Sequence, residues 1–436
     1  MIKPFNNMKF IQSKKLLSEA KKIIPNATQT LSKGYKMFVQ GDFPLFVSRA
    51  KGCYIWDVDG NKYIDYTCAL APIIIGYNID EINRSIVKQL NDGITFSLPH
   101  EIEIKLAKKL ISIIPCAEMV RFAKNGADVT SAAIRIARAY TKRDIILRSG
   151  YHGGQDWYLI TQPPQDLGVP KAMKKLIDVF KYNDIEDLKN KIKKYKNRVA
   201  AVIMEPVPMD TPQKGYLEKV REITKENGII LIFDEIVTGF RMSMGGAQEY
   251  YNVTPDLACF GKAMANGMPI SILVGRKKIM EATENVFLST TFGGETLSIA
   301  AALATIDYIK QHKVIGHTWK MGRKLYDGLT RLIKKYNINA HLIGQKFKFK
   351  IIFNNQDGSE SNIKKLFFLQ QAVYKGVFFG TVINFNYSHK DKEISYTLKV
   401  IEKIFKKIRD YNDSEKNIKK LIRGKTSVQN FIRDQR

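Results

Sequence analysis

A lysine between glycines is the residue in this chain best suited to covalent chemistry. It lies in residues 260–267, which read FGKAMANG and precede an apolar run. Glycine lets the backbone approach a bound group closely, and removal from water favours the neutral amine that forms a Schiff base. The alternative is one more surface lysine, in a chain that has 70 lysines and arginines. We therefore treat Lys262 as a candidate Schiff-base residue.

A carboxylate at the end of an apolar run is the second candidate. Asp234 follows residues 229–233, which read IILIF. Burial of a carboxylate is costly unless it meets a cation or hydrogen-bond donors. The pattern indicates either an ordinary helix cap or a carboxylate that holds a protonated ring nitrogen.

A glycine-containing loop precedes an amphipathic segment and could bind phosphate. Asn125, Gly126 and Ala127 lead into residues 129–140, where apolar side chains follow one helical face. The N–H groups at the start of a helix and the helix dipole both favour an anion. The alternative is a capped helix without a ligand, with Asn125 or Asp128 as the cap.

An aromatic segment framed by glycines is the fourth candidate. Residues 148–158 read RSGYHGGQDWY and contain Tyr151 and His152. Aromatic rings at such a turn could stack on a planar ligand. A glycine-rich turn packed on the core is the alternative.

The elements that must position these residues alternate along the chain. Short apolar runs at 145–147, 199–204, 229–233 and 270–274 are separated by helical patterns such as 101–114, 128–141 and 216–227. This alternation is typical of an α/β fold with a mostly parallel sheet covered on both faces. Ligands bind such sheets at the carboxyl ends of the strands, where all four candidate segments are expected.

The two ends of the chain have a different texture. Residues 12–24 predict a short helix, residues 45–65 a hairpin, and residues 399–425 an amphipathic helix with a charged outer face. Strands are predicted at 347–353 and 377–379, so residues after about 310 are expected to form a smaller α+β domain. We expect three parts: an N-terminal segment at 1–60 that belongs to the small domain, a large domain at 61–310, and the C-terminal small domain at 311–436.

Composition excludes several classes of protein. The chain has 436 residues, 44% hydrophobic and 26% charged, and no apolar stretch approaches the length of about 20 that a membrane span needs. The start lacks a signal-peptide core, and the four cysteines form no CxxC pair, so a reducing cytoplasm and no metal site are expected. The net charge of +28 permits nucleic-acid binding, but the lysines are dispersed and no nucleic-acid motif accompanies them.

The order of the four candidate segments is more specific than any one of them. Together with WDVDG at 56–60, FDEIVTGFR at 233–241 and SHKD at 388–391, the chain resembles a class III aminotransferase of fold type I. The resemblance points to the branch that includes glutamate-1-semialdehyde 2,1-aminomutase and covers nearly the whole length. It implies a seven-stranded, mostly parallel sheet, a smaller α+β domain and pyridoxal phosphate as the cofactor.

The resemblance implies a role for each matching residue. Lys262 would carry the Schiff base and then move the proton, while Asp234 would keep the pyridine nitrogen protonated. Ile236 would pack under the ring and Tyr151 would stack on it. The cofactor-binding set is Asn125, Gly126, Ala127, Tyr151, His152, Glu205, Asp234, Ile236, Lys262 and Thr291.

The quaternary structure that the resemblance implies depends on Thr291. It matches a family threonine that reaches the phosphate from the neighbouring subunit, which implies a homodimer with shared active sites. The other implied partners are a small amino donor and a keto or aldehyde acceptor. No membrane is expected, and nucleic acid is not expected as a partner.

Departures from the aminomutase pattern distinguish the two activities in this branch. Leu70 replaces a tryptophan, Lys33 stands near the position of a carboxylate-binding arginine, and the gating segment is shortened at 162–170. These changes favour intermolecular transfer from a donor such as glutamate, with a keto-sugar of surface-polysaccharide synthesis as one acceptor. The alternative is glutamate-1-semialdehyde 2,1-aminomutase itself, with intramolecular transfer in the tetrapyrrole pathway.

Overall fold

The computed structural model describes residues 8–426 and divides the chain into two compact units. The central unit is Asp80–Ile315, and the terminal unit combines the residues up to Ile79 with those from Gly316 onward. The predicted domain bounds also include residues 1–7 and 427–436, which lie outside the described residues. No helix among the described residues is long and apolar enough to cross a membrane.

The strands of both units are short. They are β1 Val47–Lys51, β2 Tyr54–Asp57, β3 Lys62–Asp65, β4 Met119–Ala123, β5 Ile145–Ser149, β6 Ile177–Val179, β7 Val199–Met204, β8 Ile230–Asp234, β9 Leu257–Phe260, β10 Ser271–Gly275, β11 Ala340–Gln345, β12 Lys348–Phe353, β13 Val377–Phe378 and β14 Ile383–Asn384.

The α-helices vary more in length. They are α1 Ile11–Ile23, α2 Asp80–Asp92, α3 Glu101–Ile111, α4 Gly126–Thr141, α5 Asp156–Leu159, α6 Ile185–Tyr195, α7 Tyr216–Glu226, α8 Ala247–Tyr250, α9 Lys277–Met280, α10 Thr296–Gln311, α11 Val314–Tyr336, α12 Asn362–Val373, α13 Asp391–Asp410 and α14 Glu415–Lys419.

A seven-stranded sheet in the order β4-β10-β9-β8-β7-β5-β6 forms the central unit. The neighbours from β9 through β8, β7 and β5 to β6 are parallel, whereas β10 runs antiparallel to both β4 and β9. The predicted fold class, a mostly parallel seven-stranded sheet among helices, is therefore confirmed.

The five inner strands of this sheet explain why the sequence folds in this way. Every residue of β5, β7, β8, β9 and β10 is buried. Strands buried on both faces need continuous apolar runs, and the runs that predicted β5, β7, β8 and β10 are of this type, whereas the short strand β9 was not predicted. Helix α4 packs on one part of the sheet with small and aliphatic side chains, of which Ala133, Ile136 and Ala137 have no exposed surface.

The terminal unit contains the other two sheets. One has the order β1-β2-β3-β13, in which β13 pairs in parallel with β3, and the other has the order β11-β12-β14. A large apolar cluster that includes Tyr66, Phe349 and Phe405 forms its core.

Two predictions for the terminal segments need correction. The predicted hairpin at 45–65 is a three-stranded meander, because Val47–Lys51 pairs with β2 and β2 pairs with β3. The single helix predicted at 399–425 is wrong: α13 starts at Asp391 and ends at Asp410. Asn412 and Asp413 then adopt positive φ angles, which break the helix before α14.

Candidate active site

The carboxyl ends of four neighbouring strands bring the predicted segments to one edge of the sheet. Strands β5, β7, β8 and β9 end at Ser149, Met204, Asp234 and Phe260, and all four strands are parallel. Tyr151 and His152, Glu205, Asp234 and Lys262 therefore occupy the edge where ligands bind in open α/β sheets.

Asp234 is buried and makes its strongest contact with a histidine. Its side chain is 5% exposed, and its Oδ2 lies 2.8 Å from Nδ1 of His152. Its Oδ1 accepts a hydrogen bond of 3.2 Å from the backbone N–H of Ile236. These contacts fix both carboxylate oxygens in the turn that follows β8.

His152 meets acceptors at both ring nitrogens. Its Nε2 lies 3.1 Å from the carbonyl oxygen of Ser149, opposite the contact with Asp234. The imidazole ring therefore bridges the carboxylate at the end of β8 and the backbone at the end of β5, which holds both groups in a fixed orientation.

Neighbouring side chains fix the orientation of the His152 ring. Trp157 stacks on it with ring centres 5.9 Å apart and an interplanar angle of 18°. The hydroxyl of Thr130 in α4 donates to the His152 carbonyl at 2.8 Å. Sequence reasoning named His152 as a cofactor-binding residue but missed its pairing with Asp234 and the roles of Trp157 and Thr130, since no spacing rule joins positions so far apart.

Helix α4 starts at Gly126, earlier than the sequence predicted, and this places the candidate phosphate loop at its first turn. The N–H of Asn125 donates to Oδ2 of Asp128 at 2.8 Å, and the Ser271 hydroxyl donates to the Asn125 carbonyl at 2.8 Å. A helix leaves its first N–H groups without partners inside the helix, so those of Gly126 and Ala127 are suited to an anion. The observed cap therefore does not rule out an anion at these N–H groups, and the phosphate site stays a prediction.

Ile236 joins three of the candidate loops. A Cβ added at Gly126 would lie 3.2 Å from Cδ1 of Ile236, and a Cβ added at Gly261 would lie at the same distance from that atom. The loop before α4, the turn after β8 and the residue before Lys262 thus converge on one side chain. The packing of Ile236 under a cofactor ring stays a prediction.

Lys262 begins a short 3₁₀ turn, Lys262–Ala265, directly after β9. It is half-buried and has a φ angle of +41°, in the left-handed region that a side chain rarely adopts. Such conformations are concentrated at functional sites because surrounding contacts hold them in place.

Glu205 has a definite structural task at the carboxyl end of β7. Its Oε2 accepts a 2.9 Å hydrogen bond from the backbone N–H of Tyr151. A Cβ at Gly150, whose φ angle is +99°, would lie 2.9 Å from the same oxygen. Glu205 therefore fixes the backbone that carries the Tyr151 ring, and Gly150 leaves room for it.

Thr291 is not brought into this cluster within the central unit. It is exposed, on the segment before α10, and no hydrogen bond or ion pair joins it to the cluster within residues 8–426. Arg135 anchors the same segment by donating to the Phe287 carbonyl at 2.8 Å. The role of Thr291 across a subunit boundary stays a prediction.

Glu235 is a further buried residue that sequence reasoning missed. It has no exposed surface and accepts hydrogen bonds from the N–H groups of Ala247 and Gln248, at 2.7 and 2.9 Å, and from the Thr238 hydroxyl. Burial raises the pKa of Glu235 to about 7, against the lowering effect of these donors. The carboxylate ties the turn after Asp234 to the start of α8.

These residues fit pyridoxal phosphate on grounds of donor chemistry. A buried, histidine-paired carboxylate suits a protonated ring nitrogen, and the start of a long helix suits a phosphate. Ile236 supplies an apolar surface between them, and a half-buried lysine follows the neighbouring strand. No group of three or more His, Cys, Asp or Glu residues that could hold a metal occurs among the described residues.

Known proteins with similar sequences agree with this arrangement. The class-III aminotransferase family matches residues 37–405. A 3-aminobutyryl-CoA aminotransferase from Cloacimonas acidaminovorans is 37% identical over 404 residues, covering 90% of this chain and 96% of that protein. A glutamate-1-semialdehyde 2,1-aminomutase from Methanocaldococcus jannaschii is 35% identical over 427 residues, covering 91% and 99%.

The fold matches solved structures of the same kind. The FumI protein of Sphingopyxis sp. MTA144, in its PLP internal aldimine form, superposes with a TM-score of 0.86 at 26% identity, over 93% of this chain and 98% of that one. The chain therefore belongs to the class-III aminotransferases, and its cofactor is pyridoxal phosphate.

Proposed function

We propose that this enzyme moves an amino group from a donor, with glutamate as the first candidate, to a separate keto or aldehyde acceptor. The observation that carries the proposal is the convergence on Ile236 of the loops that contain Gly126, Asp234 and Lys262. The central unit acts as the cofactor-binding domain. It has the sheet edge, the helix start and the lysine that the reaction requires.

Each residue of the cluster has a defined task in this proposal. Gly126 and Ala127 bind the phosphate through their N–H groups, while Asp234, held by His152, faces the ring nitrogen. Lys262 holds the cofactor, and its Nζ then takes and returns the proton of the substrate carbon. When bound, pyridoxal phosphate supplies a ring that accepts the electrons left as the substrate C–H bond breaks.

The choice of separate donor and acceptor rests on three departures from the aminomutase pattern. A mutase must retain its intermediate, whereas a transaminase releases one product before it binds the next substrate. Lys33 cannot reproduce the bidentate contact of an arginine with a carboxylate, and Leu70 replaces a tryptophan. The segment at 162–170 is short and its Leu167 is 88% exposed. Retention of an intermediate is therefore expected to be poor.

Several classes of acceptor are compatible with the proposal. A keto-sugar of surface-polysaccharide synthesis is the first candidate, because several motif variants resemble an aminomutase-related group associated with that process. The similarity to a 3-aminobutyryl-CoA aminotransferase adds 3-aminobutyryl-CoA as a candidate donor. A cytoplasmic location would suit all of these metabolites.

We further propose a homodimer in which Thr291 serves the neighbouring subunit. Apolar side chains are exposed close to Thr291 in sequence, with Phe287 82% and Phe292 58% exposed. Leu98, at 79%, adds to the exposed apolar surface of the central unit. Burial of such side chains against a second copy would remove apolar surface from water, which supports the proposed dimer.

A half-reaction screen tests the transaminase proposal. Glutamate is expected to convert the bound cofactor to its amino form, which abolishes the visible absorption of the Lys262 linkage. Keto-sugars, nucleotide-linked keto-sugars and small aldehydes are then added singly, and the true acceptor restores the absorption. In Lys262→Ala, borohydride is expected to fix no cofactor to the chain.

The aminomutase alternative predicts a different result. Conversion of glutamate-1-semialdehyde to 5-aminolevulinate, with no measurable half-reaction from glutamate or 3-aminobutyryl-CoA, would overturn the proposal and favour intramolecular transfer. The observation that favours this alternative is the 35% identity to the glutamate-1-semialdehyde 2,1-aminomutase from Methanocaldococcus jannaschii.

A further inference from the structure

An ion pair in the central unit joins the candidate phosphate loop to the segment that leads into α10. Lys124 lies between the end of β4 and Asn125, and Glu295 directly precedes α10. The Nζ of Lys124 lies 2.7 Å from Oε2 of Glu295, and the two side chains are only 18% and 12% exposed. Low exposure strengthens the attraction between the two charges, because water screens it less.

Ser298 completes a triangle with these two charged groups. Its hydroxyl donates to Oε2 of Glu295 at 2.6 Å, and the Nζ of Lys124 donates to the same hydroxyl oxygen at 3.3 Å. The other carboxylate oxygen of Glu295 accepts from the N–H of Leu297 at 2.7 Å and so caps α10. Burial raises the pKa of Glu295, but hydrogen bonds from Lys124 and Ser298 outweigh this effect and hold that pKa below its usual value. Glu295 is therefore ionised at neutral pH, with Lys124 as its counter-charge.

Two glycines let the segment before Glu295 pack closely on its neighbours. A Cβ added at Gly293 would lie 3.0 Å from the carbonyl oxygen of Phe122 in β4. A Cβ added at Gly294 would lie 2.8 Å from Oε1 of Glu103 in α3. Close packing and the ion pair thus hold this segment against the end of β4.

The other end of the ion pair restrains the phosphate loop. Lys124 is one residue before Asn125, the cap of α4, and two residues before Gly126. From strand β10, the Ser271 hydroxyl donates to the Asn125 carbonyl. Several N–H groups bind one anion well only when they point at the same position, so movement of this backbone would weaken the contact with a phosphate. An ion pair two residues away limits that movement.

We propose that Lys124 and Glu295 are a positioning pair for the phosphate of the cofactor. The pair fixes the N–H groups of Gly126 and Ala127, and it fixes the segment that carries Thr291 against the same loop. The proposal rests on the phosphate site of the proposed function and adds two residues that act through the loop. It is independent of the choice between transaminase and aminomutase.

Spectroscopic titration of the full-length protein, freed of bound cofactor, with pyridoxal phosphate and with pyridoxal tests the proposal. Pyridoxal lacks only the phosphate, and both aldehydes form the linkage to Lys262 that absorbs visible light. Lys124→Met is expected to raise the dissociation constant for pyridoxal phosphate about ten-fold, because Glu295 loses its partner and the loop loses its restraint. The dissociation constant for pyridoxal should stay as in the wild type.

Two further variants separate the role of the charge from a general loss of stability. Lys124→Arg retains a cation with hydrogen-bond donors and is expected to bind pyridoxal phosphate nearly as tightly as the wild type. Lys191→Met removes a 2.9 Å ion pair with Asp178, of similar exposure and in the same unit, and should change neither dissociation constant. The thermal transition of each variant checks its folding, and Lys124→Gln replaces Lys124→Met if that variant does not fold.

The results distinguish this proposal from the function on which it rests. Equal weakening of both aldehydes in Lys124→Met, or no weakening of either, would overturn the positioning pair. A selective loss of pyridoxal phosphate in Lys191→Met would overturn it too, since the effect would then follow from any lost ion pair. Equal affinity of the wild type for the two aldehydes would instead reject the phosphate site itself, and the pair with it.

Discussion

Among the contacts between single residues, the hydrogen bond between His152 and Asp234 is expected to affect catalysis most directly. It is 2.8 Å long and almost free of solvent, with the histidine side chain fully buried. A carboxylate in this setting keeps its charge only while donors surround it. In the proposed function, the orientation of the Asp234 carboxylate is therefore set in part by His152.

We predict that His152→Leu lowers kcat/KM by about ten- to one-hundred-fold. Removal of the donor leaves Asp234 partly unsatisfied, and a buried unsatisfied group costs about 1–3 kcal/mol. His152→Gln retains a side-chain N–H and is expected to lose less activity. Steady-state kinetics of the two variants, with cofactor content determined in parallel, measure the difference. Equal losses in Leu and Gln variants would contradict a hydrogen-bonding role.

At the scale of elements, the connection from β8 to α8 depends on Glu235. Its carboxylate accepts from both residues at the start of α8 and from Thr238 in between. A Cβ at Gly246 would lie 2.4 Å from Oε2 of Glu235, so glycine is needed for this close approach. The same turn contains Ile236, so its stability bears on the geometry of the site.

We predict a pH dependence of stability that originates at Glu235. Burial raises the pKa of Glu235 to about 7, above its usual value near 4.5. The folded protein therefore binds this proton more tightly than the unfolded chain does. The resulting stabilisation is complete below about pH 4.5 and is lost as the pH rises through 7, amounting to at most about 3 kcal/mol.

Denaturant unfolding of wild type and Glu235→Gln between pH 5 and 8 measures this contribution. The amide cannot titrate, so the free energy of unfolding of the wild type should fall relative to that of the variant as the pH rises. Glu222→Gln, at an exposed residue of α7 that pairs with Lys219, is the control and should follow the wild-type profile. Parallel profiles for wild type and Glu235→Gln would refute the assignment.

The helices and strands also show how much of the fold can be predicted from the sequence. Strands β7 and β8 were predictable because a strand buried on both faces needs an uninterrupted apolar run. Candidate residues at strand ends followed from the same pattern. Asp234 ends β8, whereas Lys262, expected just before the strand at 270–274, follows the neighbouring strand β9, which was not predicted. The helix boundary after Asp410 was not predictable, because the left-handed residues there depend on local backbone contacts.

Contacts between distant positions were the least accessible to sequence reasoning. His152 and Asp234 are 82 residues apart, and only the parallel pairing of β5, β7 and β8 places them together.

For the whole molecule, the exposed apolar side chains of the central unit bear on assembly. We predict that the double variant Leu98→Asp with Phe287→Asp sediments as a monomer at concentrations where the wild type sediments as a dimer. Charges on these apolar side chains oppose their burial at an interface.

Leu167→Asp, which alters a residue that is 88% exposed on another segment, is the control and should sediment as wild type. Monomeric wild-type protein, or an unchanged dimer in the double variant, would remove the support for Thr291 in a shared site.

The position of Ile236 against two glycines also constrains the order in which substitutions can accumulate. A methyl group at Gly126 or at Gly261 would meet the same Cδ1 at 3.2 Å, which requires Ile236 to shift by a few tenths of an ångström, so each replacement is expected to be better tolerated after Ile236 has become smaller. A reduced side chain at 236 would in turn leave a gap beside both loops until one glycine is replaced. The three positions are therefore expected to change in a dependent sequence, and a lineage that begins with a glycine replacement meets a barrier that one beginning at Ile236 does not.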